Sequence, residues 1–186
     1  MPGPQNHRRC RTAVPRETGL ARAAGGGYTG RMMEFSRTPE GCFRLATELW
    51  LPRRREAVFP FFGDAFNLEQ LTPAWLKFEV LTPAPITMRA GLRIDYRLRW
   101  HGLPLRWQSE ISAWDPPARF VDEQRRGPYR LWVHEHLFED RNGGTLARDI
   151  VHYAVAGGWL ADRLFVRRDL DQIFRFRQAK LAELFV

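Results

Sequence analysis

The chain has 186 residues, of which 44% are hydrophobic, and a net charge of +8. This length suits one domain with a buried core, and no apolar run approaches the roughly 20 residues that a membrane-spanning helix needs. Residues 1–37 carry seven arginines against two glutamates, so the remaining chain is only mildly basic and lacks the concentrated basic patch of a nucleic-acid-binding protein.

The first 37 residues differ in composition from the rest. They are rich in Pro, Gly and Arg, so we expect a disordered basic tail at 1–37 and one folded domain at 38–186. One alternative is that translation begins at Met32 or Met33. Another is that the Arg-rich segment is an organelle transit peptide. Cys10 and Cys42 lie in unlike contexts and form neither a disulfide framework nor a C-x-x-C metal site, so we expect a cytoplasmic protein.

The folded part begins with a strand and a helix pair. Residues 43–51 (FRLATELWL) alternate between apolar and polar positions, as in a half-buried strand that Pro52 ends. The following segment, REAVFPFFGDAFNLEQLTP, has apolar residues at helical spacing on both sides of Gly63-Asp64. We therefore predict two short helices directly after the first strand.

Six further strands are predicted after the helix pair. They are separated by Pro- and Gly-containing turns, which indicates an antiparallel meander, and they lie at 76–82, 91–100, 105–114, 119–125, 129–140 and 145–156. After Gly157-Gly158 the apolar spacing becomes helical, and about 27 residues predict a C-terminal helix of roughly 40 Å. The resulting fold class is α+β.

This order of elements is that of the helix-grip fold, in which a curved antiparallel sheet of about seven strands wraps a long C-terminal helix. The segments LTPAWLKFEV, GLRIDYRLRWHGLPLRW, SAWDPPARFVDEQRRGPYRLWVHEHLFE and DIVHYAVAGG resemble the SRPBCC (START/Bet v 1-like) superfamily. The resemblance covers 43–185 and is to the coenzyme Q-binding and polyketide cyclase/dehydrase branch, including small bacterial ligand-binding proteins. It implies a deep apolar cavity between sheet and helix.

The resemblance leaves function open, because this superfamily carries several activities on one scaffold. Neither the Rieske-type cysteine and histidine set nor the non-haem iron motif of its oxygenase branch is found in the sequence, so we set that activity aside.

Strand parity identifies the face that would line the cavity, because side chains alternate with period two. The residues predicted to contact a ligand are mostly aromatic or aliphatic and are Tyr96, Leu98, Trp100, Trp107, Ser109, Ile111, Phe120, Trp132, Phe138 and Val151 on strands, with Phe174 on the long helix. Such a lining favours a large apolar ligand.

Four polar residues on the same face are candidates for catalysis: His134, His136, Asp149 and Tyr153. A histidine paired with an aspartate on the neighbouring strand could act as a general base, and a tyrosine could polarise a carbonyl group. The structural alternative is that these groups satisfy one another's hydrogen bonds.

His134-x-His136 also presents two imidazoles to one side, as a metal site would. Only Asp149 or Glu110 could add a third ligand, and Glu110 is out of phase with its inward neighbours, so we expect neither a metal nor a cofactor.

The opposite face of the sheet carries Arg93, Arg97, Arg99 and Arg106. We expect them to form cross-strand pairs with Asp95 and Glu110. The alternative is peripheral contact with anionic lipid headgroups, to which the run at Arg53 could add.

These observations leave three hypotheses. The first is a non-enzymatic protein that binds a hydrophobic small molecule, such as a lipid, a quinone or a polyketide-like compound. The second is a cyclase or dehydratase that uses His134 or His136 with Asp149 and Tyr153. The third is a regulatory protein with an unknown protein partner, which a well-packed interior without a sizeable void would favour.

Overall fold

The computed structural model describes residues 32–186, so most of the predicted tail lies outside the described part of the chain. Within this range all strands form one antiparallel sheet of eight strands, in the order β1-β2-β8-β7-β6-β5-β4-β3. The strands are β1 (Met32–Arg37), β2 (Phe43–Leu51), β3 (Glu79–Val80), β4 (Arg93–Trp100), β5 (Leu103–Asp115), β6 (Arg119–Arg126), β7 (Leu131–Arg141) and β8 (Gly144–Ala154).

The helices lie between β2 and β3 and after β8. They are α1 (Arg55–Phe62), α2 (Asn67–Gln70), a 3₁₀ turn (Ala74–Leu76), α3 (Gly158–Ala161), a π-helical turn (Asp162–Val166) and α4 (Arg167–Leu184). This arrangement confirms the predicted α+β helix-grip fold. No helix of residues 32–186 is both long enough and apolar enough to cross a bilayer.

Strand β1 is the main difference from the predicted order of elements. Met32–Arg37 were predicted to belong to the tail, whereas they form the edge of the sheet and pair with β2, with Phe35 opposite Leu45. The segment is too short to show clear alternation on its own, and the partner strand supplies its backbone hydrogen bonds. Arg167 stacks its guanidinium group 4.8 Å from the centre of the Phe35 ring.

Two other elements differ in extent. The strand predicted at 76–82 is reduced to Glu79–Val80, because Ala74–Leu76 form a 3₁₀ turn and Lys77 adopts a left-handed conformation with φ of 44°. The C-terminal helix runs from Gly158 to Leu184 as predicted, but a π-helical turn interrupts its regular hydrogen bonding near the start. Cys42, just before β2, is buried.

The long helix packs across the concave face of the sheet and contributes to two separate apolar clusters. Near its C-terminus, Leu181 and Phe185 pack with Leu51, Phe59 and Phe138. Near its middle and start, Val166, Leu170 and Phe174 pack with Leu45, Trp132 and Tyr153. A third cluster under β4 and β5 contains Ile94, Tyr96 and Ile111 and does not include the helix. The space between this third cluster and the helix remains open.

Candidate functional site

A cavity of about 360 Å³ lies between the long helix, the helix pair and strands β4 to β7. The lining side chains are predominantly apolar and include Phe61, Phe62, Leu68, Leu71, Phe78, Met88, Leu105, Tyr129, Ile173 and Phe174. Phe165 lines the cavity yet is 58% exposed, so the cavity reaches the protein surface beside the start of the long helix. A void of this size does not fit the third hypothesis, which a well-packed interior would favour.

Nine of the eleven residues predicted to contact a ligand line this cavity. They are Tyr96, Leu98, Trp100, Trp107, Ser109, Ile111, Phe120, Trp132 and Phe174. The other two, Phe138 and Val151, also point toward the concave side but are covered by neighbouring elements. Phe138 packs against Phe59 and Phe62 of α1, with ring centres 5.3 and 4.8 Å apart, and Val151 lies in the cluster under the long helix.

The four candidate catalytic residues separate into two groups. His134 and His136 line the cavity, whereas Asp149 lies behind them and Tyr153 is buried near the start of the long helix. A residue that the sequence analysis missed, Asp122, also lines the cavity. Its signal was present, because Asp122 follows the inward-facing Phe120 by two positions on β6.

The sheet register brings Asp122, His134, His136 and Asp149 together. Asp122 on β6 lies directly opposite His134 on β7, and His136 lies directly opposite Asp149 on β8. Because residues diagonal to one another on one sheet face are also within reach, each carboxylate meets both rings. We call these four residues the imidazole–carboxylate centre.

Distances within the centre are short. Asp149 Oδ1 lies 2.9 Å from His134 Nε2 and 2.8 Å from His136 Nδ1. Asp122 Oδ2 lies 3.2 Å from His136 Nε2 and 3.5 Å from His134 Nδ1. The two rings have centres 3.8 Å apart, and Phe120 stacks on His136 at 4.0 Å. All four ring nitrogens therefore face one of two carboxylates.

One of these contacts is close but poorly directed. Nδ1 of His136 is buried and, among the described residues, has no hydrogen-bond partner of acceptable geometry, although the Asp149 carboxylate is 2.8 Å away. The attraction there is that of an ion pair more than of a hydrogen bond.

The two imidazoles have opposite protonation tendencies. Burial and the neighbouring His136 lower the pKa of His134 to about 4, against the opposing effect of Asp149 and Asp122. For His136, burial acts in the same direction, but contacts with Asp122 and Asp149 outweigh it and raise the pKa. His134 is therefore neutral near pH 7, and His136 is the ring that more readily holds a second proton.

Both carboxyl groups stay ionised despite burial. Burial alone would raise the pKa of Asp149, but the two histidines and Arg177 lower it well below its usual value. The same groups lower the pKa of Asp122, chiefly through its hydrogen bond with His136. Arg177 reaches the centre from the long helix, with Nη1 3.6 Å from Asp149 Oδ1. Two anions thus face one permanent cation and one ring that readily becomes cationic.

Neutral polar groups extend the centre on both sides. The Thr47 hydroxyl on β2 donates to Asp149 at 3.4 Å, and the Ser109 hydroxyl on β5 donates to Asp122 at 3.3 Å. Ser109 in turn accepts a hydrogen bond from the Trp107 indole at 3.0 Å. A polar row therefore crosses five strands through an otherwise apolar wall.

Tyr153 belongs to a different contact. Its hydroxyl donates to Asp162 of the π-helical turn at 2.7 Å. Burial and this carboxylate raise the pKa of Tyr153, and burial also raises the pKa of Asp162. The phenol does not line the cavity, so its predicted partnership with the histidines is absent.

The cavity wall carries one more polar contact where β4 meets the long helix. Asp169 accepts a hydrogen bond from the Trp100 indole at 2.5 Å and lies 3.0 Å from Nε2 of His101. This contact ties the hairpin between β4 and β5 to the helix.

Metal-ligand geometry is present at the centre but differs from the predicted set. Asp122, His134 and His136 each offer one ligand atom, and these atoms lie within 4.8 Å of one another. Asp122 thus occupies the place for which the sequence analysis considered Asp149 or Glu110. Glu110 lies on the opposite face, where it accepts from Arg93 and Arg125, and these hydrogen bonds lower its pKa to about 2.

The outer arginines form the predicted cross-strand pairs in part. Arg93 bonds Glu110 at 2.8 Å as expected, but Arg97 bonds Glu79 of β3 at 2.5 Å instead of Asp95. Asp95 accepts from Gln108 at 3.0 Å. The pairing partner of Arg97 depends on β3, whose position the sequence did not reveal.

No protein-family model and no curated protein matches the sequence. Solved structures do match. Protein Ms6760 from Mycobacterium smegmatis is 15% identical with a TM-score of 0.61, over 83% of this chain and 97% of that one. A protein from Arthrobacter aurescens is 12% identical with a TM-score of 0.63, over 81% and 91%.

A plant protein shares the same architecture. The ginseng major latex-like protein 151 from Panax ginseng is 11% identical with a TM-score of 0.58, over 78% of this chain and 99% of that one. At such identities the likeness establishes the fold alone. The chain has the helix-grip fold, as the order of its predicted elements indicated.

Proposed function

We propose that this protein binds a hydrophobic small molecule, of the size of a lipid, quinone or polyketide-like compound, in the cavity between the sheet and the long helix. The observation that carries the proposal is the cavity of about 360 Å³ with its aromatic and aliphatic wall. Ligand sites of this kind measure about 300–1,000 Å³ and combine apolar area with a few polar groups.

Polar groups in the wall would orient the ligand. Ser109, Tyr96 and three residues of the imidazole–carboxylate centre, Asp122, His134 and His136, line the cavity. The other polar or charged residues of the otherwise apolar lining are Asp64, Asn67, Thr72, Asp169 and Arg177. A molecule with one oxygen-bearing end and an apolar body therefore matches the wall best, since apolar burial supplies affinity and the polar end sets orientation.

The direct test is native mass spectrometry of the full chain purified from cells, followed by solvent extraction. We expect an adduct of one apolar molecule per chain, released by organic solvent. A protein of clean apo mass that also fails to take up a fluorescent fatty acid or quinone in titration would refute the proposal.

A cavity-filling substitution sharpens this test. Ile173 on α4 is half-buried and lines the cavity, whereas its neighbour Gln172 is exposed on the outer side of the helix. Ile173→Trp should reduce ligand occupancy at least tenfold because the indole fills the void. Gln172→Trp, the matched control, should bind as the wild type does; equal loss in both variants would point to a folding defect instead.

A cyclase or dehydratase is the second candidate, and one observation favours it. His134 lies 2.9 Å from Asp149 and lines the cavity, which is the arrangement of an oriented general base. If the protein is an enzyme, His134→Ala should abolish turnover while ligand affinity falls less than about tenfold, because apolar burial dominates binding. Loss of binding in proportion to loss of turnover would argue against a role as base.

The proposal includes peripheral membrane contact. It places this contact at the start of the long helix and not at the arginines on the outer face of the sheet. Beside the cavity opening, the start of the long helix exposes Trp159, Leu160, Leu164 and Phe165, and basic residues Arg163, Arg167 and Arg168 lie on the same turns. Exposed aromatic residues next to basic ones suit the interface of an anionic bilayer.

Vesicle sedimentation tests this contact. The double variant Trp159→Ser/Phe165→Ser should lose most binding to vesicles that contain an anionic phospholipid. Phe176→Ser alters an exposed aromatic residue about three turns further along the helix and serves as control. Unchanged vesicle binding in the double variant would exclude this surface.

A further inference from the structure

The imidazole–carboxylate centre has two layers with respect to the cavity. Asp122, His134 and His136 line the cavity wall, and Asp149 lies behind the two rings. Each ring thus turns one nitrogen toward Asp122 at the front and the other toward Asp149 at the back.

The front layer has the spacing of a metal coordination sphere. Ligand atoms bonded to one ion at about 2.0–2.2 Å lie about 3.0–3.5 Å apart at octahedral or tetrahedral angles. Asp122 Oδ2 lies 3.2 Å from Nε2 of His136 and 3.5 Å from Nδ1 of His134. Each of these residues offers one donor atom within 4.8 Å of the others.

The back layer has the arrangement of the groups that support metal-binding histidines. Such histidines donate their second ring N–H to a carboxylate or carbonyl, which fixes the tautomer and the ring orientation. Here a single carboxylate, Asp149, forms a hydrogen bond with the second nitrogen of His134 at 2.9 Å and lies 2.8 Å from that of His136, where the contact has the character of an ion pair. Thr47 and Arg177 hold this carboxylate in turn.

Charge balance is consistent with a cation at the front. Two carboxylates face the fixed charge of Arg177, so the centre needs further positive charge, which a proton on His136 would supply without a metal.

We propose that Asp122, His134 and His136 bind a divalent first-row transition-metal ion such as Zn²⁺ or Fe²⁺, with Asp149 as a positioning residue that orients both imidazoles. Two imidazoles and one carboxylate suit these ions. The remaining coordination positions face the cavity, where an oxygen atom of a bound molecule would occupy them. The site does not depend on the proposed apolar ligand, and it is tested without one.

The experiment uses the full chain, stripped with a chelator and titrated with Co²⁺, whose visible ligand-field absorption reports its coordination. We expect one Co²⁺ per chain, an absorption spectrum of four- or five-coordinate metal, and displacement by Zn²⁺. X-ray absorption of the Co²⁺ or Zn²⁺ form should count two imidazole ligands.

Substitutions assign the ligands. Asp122→Asn, His134→Gln and His136→Gln should each lower Co²⁺ affinity at least about 100-fold, whereas Asp149→Asn should lower it about 10- to 100-fold and shift the absorption bands. His101→Gln and His152→Gln are the matched controls, since His101 is exposed beside a single carboxylate and His152 is buried with outward strand parity. Both should bind Co²⁺ as the wild type does.

Three results would overturn the proposal: no stoichiometric uptake by the wild type, an imidazole count other than two, or wild-type affinity in the Asp122→Asn and His136→Gln variants. The first two are read on the wild-type protein, so a variant that fails to fold does not remove the test. An intact apolar-ligand adduct without metal uptake would leave the proposed function standing and refute only the metal site.

Discussion

Two buried carboxyl groups respond to burial in opposite ways: Asp149 lies on β8 under the long helix, and Asp162 lies in the π-helical turn near the start of that helix. Asp149 contacts both imidazoles and Arg177, and its pKa falls well below the usual value. Asp162 accepts a hydrogen bond from the neutral Tyr153 hydroxyl, with Arg167 as its cationic neighbour, and its pKa rises.

The difference follows from what surrounds each group. Burial destabilises a carboxylate and so raises the pKa of the carboxyl group, unless cationic partners or strong hydrogen-bond donors compensate. Asp149 has three such partners within 3.6 Å, whereas the phenol of Tyr153 offers one neutral hydrogen bond. The comparison predicts that substitutions around Asp149 have large effects and those around Asp162 small ones.

The largest effect is expected for Asp149→Leu. This substitution leaves Arg177 and His136 buried beside Asp122 alone, so we expect the free energy of unfolding to fall by about 3–5 kcal/mol, as when one partner of a buried ion pair is removed. Urea denaturation measures the change. Asp171→Asn, which breaks the exposed pair with Arg175, should cost far less; equal losses would show that Asp149 is not held as a buried ion.

Arg177→Met tests the cationic side of the same centre. Methionine keeps much of the apolar contact with Phe174 but removes the charge 3.6 Å from Asp149. We expect a loss of about 1.5–3 kcal/mol, the range for contacts to charged groups, and therefore less than for Asp149→Leu. A double-mutant cycle should give coupling between the two positions, because the two side chains contact each other; additive losses would contradict their interaction.

Tyr153→Phe removes the single hydrogen bond that Asp162 accepts from a phenol and leaves the ring packing intact. The expected loss is about 1 kcal/mol, the usual net value of one hydrogen bond. Thermal and urea unfolding measure it, with Tyr129→Phe as a control on a partly buried tyrosine of the same apolar cluster. A loss as large as that of Asp149→Leu would remove the proposed difference between the two carboxyl groups.

The smallest effect is a pH dependence. Because the pKa of Asp162 is raised in the folded state, folded protein binds this proton more tightly than unfolded protein, and stability falls as pH rises above the unfolded value of about 3.9. The wild type should therefore lose stability relative to Asp162→Asn between that value and neutral pH. A constant difference across this range would show that burial does not perturb the group.

Much of the fold could be predicted because its strands and long helix carry strong local patterns. The strands from 91 onward are bounded by turn residues, which placed their ends approximately, and they alternate along their length, so their inward faces followed from parity. Strand β1 and the shortened β3 could not be predicted, since one depends on pairing with β2 and the other is interrupted at Lys77.

The candidate site was predictable face by face but not residue by residue. Parity identified His134, His136 and Asp149 as inward-facing, yet it could not reveal which inward side chains would be covered by α1 or by the long helix, as Phe138 and Val151 are. Tyr153 has the same parity as Asp149 but is drawn into a contact with the π-helical turn, whose position no strand pattern encodes.

The sequence by itself determined the order of elements from β2 onward, the helix-grip architecture and the apolar character of the concave face, because these depend on periodicity and turn residues within single segments. Only the tertiary structure decided that Asp122 faces His134, that Asp149 lies behind both rings and that Arg177 reaches them from the helix. These relations depend on strand register and helix docking, which arise from contacts between residues far apart in the chain.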